Sequence, residues 1–450
     1  MAPRRRASPF NVRDFGARGN RKANDRGAIQ AAVDACAAGG GGTVVLPPGD
    51  YLSGTIRLAG GVTLQLDAGA TLRAIAGREH YEGTGASGHL LLADGADRIA
   101  VVGKGRLYGL GKTDYGPGSG EWKKLDFRTG ILLFTNCRGV TIRDVSILYS
   151  DAWTLHLKQC DDVAIEGVTI RNNPRRLNSD GIDPNMCRRV RIRNCRITAG
   201  DDCIVMKATE RRPCEDIEVR DCVLVSTTAG IKFGTESFGD FRDIRVSDCT
   251  VVNAPVGVGF YLKDGGTMER IRISNVSIRS IAPGNHGATP FFMDIEKRYP
   301  DSRVGRIRDV MIENINVRSG TGAVFQGMPR RPIERLTLRD IRLRVDKSDR
   351  YDRRQKPKGA RRVTPDARDT CYMRLPSYLT VAHVKGLVID GVSVRISAKA
   401  FREHPRSAVC LRAVQGASLR GLSRRPGEKA GGPPILDVKN CRNVRVGPLA

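Results

Sequence analysis

The chain is short of aromatics, of paired cysteines and of long apolar runs, and each scarcity removes a class of protein. Aromatic residues make up 5% of the 450 positions. They do not interleave with basic residues, so a base-stacking platform for nucleic acid is not expected. The twelve cysteines contain no CxxC pair, which argues against a zinc site, and neither a metal nor a cofactor is expected. The run GGGG at 39–42 is not followed by GK[ST], so it is not a phosphate loop. No apolar stretch approaches the roughly 20 residues that span a bilayer. The opening MAPRRRASPF carries charge but no apolar signal-peptide core. This places the protein in the cytoplasm, or outside the cell if a leader has been removed. Unpaired buried thiols fit a reducing compartment.

What is present points to strands. There are 51 glycines and many Val, Ile and Thr residues, a composition that favours pleated strands and tight turns over helix bundles. Net charge is +27, from 58 Arg and 17 Lys against 48 acids, which suits an acidic partner. The arginines recur at alternate strand positions along the whole chain, so solvated surface is the plainer reading for most of them.

A unit of about 27 residues repeats. VTIRDVSI from Val140, VAIEGVTI from Val163, VRIRNCRI from Val190, IEVRDCVL from Ile217, IRVSDCTV from Ile244 and IRISNVSI from Ile271 start 23, 27, 27, 27 and 27 residues apart. Further copies begin at Val310, Leu336 and Leu387. Period-two alternation means strands with one buried face, and the unit has room for three short strands and three turns. One unit cannot bury that face alone, so copies must stack. The expected fold is all-β, a right-handed parallel β-helix formed as one domain over 10–450. Asp144, Asn194, Asp221, Asp248, Asn275, Asn314 and Asp340 share the fifth position of the unit and read as a ladder of left-handed turns. Cys195, Cys222 and Cys249 share another position and read as small buried hydrophobes. Residues 10–60 read as an N-terminal cap, with a helix begun by Asn24 or Asp25, carrying Ile29 and Val33 inward and ending at Gly39. The charged stretch 346–370 reads as a loop insertion, and GEKAGGPP near 430 as another loop. A capped solenoid is commonly self-sufficient, so a monomer is expected.

NSDGID and AGDD interrupt the simple pattern. Asp180 and Asp201 are 21 residues apart, a little less than one coil, so the repeat carries them to similar angular positions. Glycosidic hydrolysis needs one acid to protonate the leaving oxygen and one base to activate water. Asp201 and Asp202 would face opposite sides of a regular strand, and Gly200 permits a bulge that exposes both. Asp183 fits either the cluster or a turn before Pro184.

The segment NSDGIDPNMCRRVRIRNCRITAGDDCIVMK resembles glycoside hydrolase family 28, the polygalacturonase and rhamnogalacturonase family. DFGA, AIQ and GGGGTVVLPPGDY resemble the cap region of the wider pectin-degrading superfamily. The resemblance implies an inverting, metal-free hydrolase with Asp201 as general acid and Asp180 with Asp202 activating water. Its substrate would be an acidic, pectin-like polysaccharide or oligosaccharide, with Asn178, Lys207, Lys232, Tyr261 and Lys263 as binding candidates. Two departures stand out. Ala229 precedes Gly230 where the family carries His, and Tyr261, Leu262 and Lys263 stand where it carries Arg-Ile-Lys. Lys232 is a candidate replacement charge, against a solvated-surface reading of all three lysines. Tyr261 is either a sugar-stacking face or a packed ring, Glu236 either a groove acid or a turn residue, and His286 a loop residue. A non-catalytic carbohydrate-binding β-helix and a polysaccharide lyase on the same scaffold are the competing functions.

Overall fold

The alternating runs pair as parallel strands, the arrangement their periodicity requires. The computed structural model describes residues 9–82, 87–113, 127–280, 289–346, 377–403, 405–425 and 433–449. The chain forms two compact units, Met1–Asp201 and Asp202–Ala450. Each is right-handed parallel β-helix, with coils of three strand segments.

The first unit begins with the expected helix, Arg26–Ala38, which buries Ile29, Ala32, Val33 and Cys36 and stops at Gly39. Its two cap candidates divide the work. Asn24 Oδ1 accepts from the Arg26 amide at 3.1 Å, whereas the Asp25 carboxylate turns back to the amides of Arg18 and Gly19 at 2.7 and 3.0 Å. Beyond the cap, Val140, Val163 and Val190 are in register on successive coils, as are Ile142, Ile165 and Ile192. All six are buried. Each buried branched side chain is worth about 1.5–3 kcal/mol of transfer free energy, so the stack itself drives the coiling.

The second unit continues the same logic. Ile217, Ile244, Ile271, Val310, Leu336 and Leu387 follow one another in register. The fifth repeat position is left-handed at every expected residue of both units, with φ between 50° and 63°. Only a side chain that tolerates this region fits there. The turns also bond to one another: Asn275 Nδ2 donates to Asp248 at 3.0 Å, and Asn314 Nδ2 to Asn275 at 2.7 Å. Cys195 of the first unit and Cys222 and Cys249 of the second are buried and outside any disulfide. In the first unit, Cys137, Cys160 and Cys187 are a further buried set. The insertion 346–370 lies outside the described residues except for Asp346, as do His286 and most of GEKAGGPP. Among the described residues no helix is long and apolar enough to cross a membrane.

Candidate active site

In the first unit, the loop bearing Asn178 to Asp180 is tied down by side chains that bond main chain. Asn172 is buried; its Oδ1 accepts from the Ser150 amide at 2.9 Å, and its Nδ2 donates to Thr154 Oγ1 at 2.7 Å and the Ser179 carbonyl at 2.9 Å. Thr154 in turn donates to the Asp180 carbonyl from its amide at 3.0 Å and its hydroxyl at 2.6 Å. Asp180 is 2% exposed, and its backbone is fixed by these bonds. Arg176 forms a buried ion pair with Asp151. Arg128 reaches Asn178 Oδ1 at 3.3 Å and donates to the carbonyls of Asp151 and Leu177.

Asn178 then holds Asp201. The left-handed backbone of Asn178, φ 52°, lets its amide and its Nδ2 both donate to Asp201 Oδ2, at 3.1 and 3.3 Å. The role of Gly200 is close approach: a Cβ there would sit 2.3 Å from the Arg176 carbonyl and 2.5 Å from that of Asn173. The expectation that Gly200 exposes both following aspartates needs correction, because Asp201 is partly exposed whereas Asp202 is 1% exposed. Asp183 is not a turn residue. It lies in the strand Ile182–Asn185, fully buried and in register with His156. His156 Nε2 is 3.3 Å from Asn185 Nδ2, and its ring meets Trp153 edge-on at 4.8 Å.

In the second unit, Asp202 Oδ2 accepts from Lys232 Nζ at 2.7 Å. Lys232 comes from the strand Ala229–Ser237, in register with Val205 of Ile204–Ala208. Lys207 lies where that register shifts, and its Nζ reaches Glu236 Oε2 at 3.2 Å. Arg298 NH1 binds the other oxygen of Glu236, also at 3.2 Å. Burial opposes ionisation of Glu236, but Lys207 and Arg298 overcome it and hold the carboxyl down at about 2. Glu236 is therefore a structural anion in a strand. Lys263 is buried between Asp294 and Glu296. Burial works against its charge, and the two carboxylates more than offset this and raise its pKa.

None of the three lysines is a solvated surface residue. Each is mostly buried and paired with acid. Tyr261 is 3% exposed and tilted against Phe292 at 4.8 Å, so its ring is packed. Its outer neighbour is Lys232 Nζ, 5.3 Å from the ring centroid. Ala229, in place of the family's His, belongs to the same apolar cluster as Tyr261 and Phe292. Sequence reasoning missed Arg128, Asp151, His156 and Arg176, which belong to no local motif.

The strands define a protein of the parallel β-helix class, and comparison with known proteins names the family. The family model of glycosyl hydrolases family 28 matches residues 36–353, and the chain belongs to that family. An exopolygalacturonase of Platanus acerifolia is 28% identical over 203 residues, 44% of this chain and 52% of the relative. The chain spans about half the length of the curated relatives it matches. Among solved structures, an exopolygalacturonase from Thermotoga maritima superposes with TM-score 0.66 at 23% identity, covering 77% of this chain and 88% of that one. A family 28 exopolygalacturonase from Yersinia enterocolitica gives 0.67 at 15%, covering 96% and 78%. These structures share the fold.

Proposed function

We propose that the protein is an inverting glycoside hydrolase that cleaves glycosidic bonds in a pectin-like acidic polysaccharide or its oligosaccharides. Asp201 is the general acid, and Asp180 with Asp202 activates the attacking water. The observation that carries this reading is the family match across 36–353, which contains all three aspartates. The hydrogen bonds around them support the division of roles. Asn178 donates twice to Asp201 Oδ2, which fixes the orientation of the carboxyl assigned as the acid. Lys232 donates to Asp202 Oδ2, which holds that carboxylate in one orientation. Inversion follows from acid and base acting on opposite faces of the sugar.

Substrate contacts are assigned to Asn178, Lys207, Lys232, Tyr261 and Lys263. Lys263 sits between two carboxylates, and Lys207 and Lys232 face one each, so the lysines serve a uronate chain as hydrogen-bond donors, not as net positive charge, and Tyr261 acts by backing Lys232. The protein works as a soluble monomer without nucleic-acid or membrane partners. The test is release of reducing ends from a panel of pectic polymers and oligomers. Wild type should release them and Asp201→Asn should lose at least about 10²-fold in rate. Substrate recovered intact with wild type would favour a carbohydrate-binding role. Product absorbing through a new double bond would favour a lyase.

A further inference from the structure

The alternate-position arginines of the sequence do not stay dispersed once the chain coils. Parallel pairing in the second unit puts Arg279 beside Arg318, Arg318 beside Arg344, and Arg344 beside Arg395. All four are exposed. Neighbouring strands lie about 4.8 Å apart, so the four Cα positions form a row about 14 Å long. Parallel to it, two residues away on each strand, runs a polar row of Ser277, Asn316, Arg342 and Ser393 in register. The two rows border a groove of about 560 Å³.

The groove is strongly cationic. Among the described residues its five arginines are paired with one carboxylate, Asp346, which Arg318 and Arg344 share. Among the described residues Arg279 and Arg395 make no ion pair. Like charges on adjacent rungs repel one another, by up to about 1 kcal/mol for a directly opposed pair. An anion laid along the row relieves that repulsion. Guanidinium groups take carboxylates in a two-pronged fashion, and the Ser and Asn side chains of the polar row can exchange hydrogen bonds with sugar hydroxyls. Among the described residues no aromatic side chain lines the groove, so they offer nothing for nucleobases to stack on. These strands also belong to a different sheet from those that carry Lys207 and Lys232 and from the strand Val256–Leu262 that Lys263 follows.

We propose that this groove is a second, non-catalytic binding site for a carboxylate-bearing polysaccharide, which holds the polymer on the enzyme while other segments of it are cut. The choice of polymer rests on the proposed function; the cationic row does not. The test is retardation of the full chain in gels containing polygalacturonan, in an Asp201→Asn background so that the polymer stays intact. Replacing Arg279, Arg318, Arg344 and Arg395 by Ser should weaken binding about tenfold, from a few tenths of a kcal/mol per exposed contact. Arg279→Ser with Arg395→Ser, which touches no ion pair among the described residues, should weaken it about threefold by the same reckoning. A charge-matched control with Ser at Arg21, Arg138, Arg188 and Arg420 should change it by less than about twofold.

Equal losses in the groove variant and the control would overturn the proposal. So would equal binding of fully methyl-esterified polymer, or retention of duplex DNA as strong as that of polygalacturonan. With Asp201 restored, the fourfold variant should cleave short oligomers at the wild-type turnover. Loss of hydrolysis with groove binding intact would sink the catalytic reading and leave the groove standing.

Discussion

Replacing Lys232 by Met should unsettle Asp202 more than a change at any residue that does not touch it. Asp202 has 2% of its side chain exposed and Lys232 has 13%, with 2.7 Å between their charged atoms. Removing one member of a buried ion pair costs about 3–5 kcal/mol, and the residual exposure of Lys232 puts this pair at about 3 kcal/mol. A long solenoid has no single unfolding midpoint, so the assay is native-state hydrogen exchange over Ile204–Ala208 and Ala229–Ser237, which reads local opening free energies. In a cycle of Lys232→Met, Asp202→Asn and the double variant, the coupling should be about 1.5–3 kcal/mol. Turnover of Lys232→Met should fall about 10²-fold, the scale expected for a misplaced catalytic group, and Lys232→Arg should recover part of it. A coupling below about 0.5 kcal/mol, the range of surface pairs, would refute the argument that Lys232 fixes Asp202.

Other outcomes follow from the same geometry. The Glu236 carboxyl falls from 4.5 to about 2 on folding, which at 1.36 kcal/mol per unit is about 3 kcal/mol. A depressed folded value means this stability is present above about pH 4.5 and lost as pH falls toward 2, so Glu236→Gln should flatten the acid limb of local stability measured by exchange over Ala229–Ser237. Gly200→Ala drives a Cβ to 2.3 Å from a backbone oxygen; it should cost about 1–3 kcal/mol, seen as faster exchange across 173–180. Asn178→Ala removes the side-chain donor to Asp201 and the partner of Arg128; turnover should fall about tenfold or more with secondary structure unchanged by circular dichroism.

The solenoid was readable because its physics is local and repeated. Val163, Val190 and Ile217 carry the period, and the Asp and Asn turns announce themselves by tolerating φ near 55°. The partners of the site residues were not readable. Lys207 meets Glu236 29 residues later, Lys232 meets Asp202 30 residues earlier, and Lys263 meets Asp294 31 residues later. Each gap is about one coil plus a few residues, and the bulge that shifts the register at Lys207 has no code in the local pattern. Arg128 is harder still, since it anchors Asn178 from 50 residues away. Likewise the arginine row of the second unit looks like scattered surface charge until the 39- and 51-residue spacings of its coils are folded into register.

The central claim is inverting hydrolysis led by Asp201, and proton NMR of the anomeric signals during cleavage of an oligogalacturonide tests it most directly. The account predicts that the first new reducing end appears in the inverted configuration with wild type and does not appear on the same time scale with Asp201→Asn. A first product of retained configuration, an unsaturated product, or an undiminished rate with Asp201→Asn would contradict it.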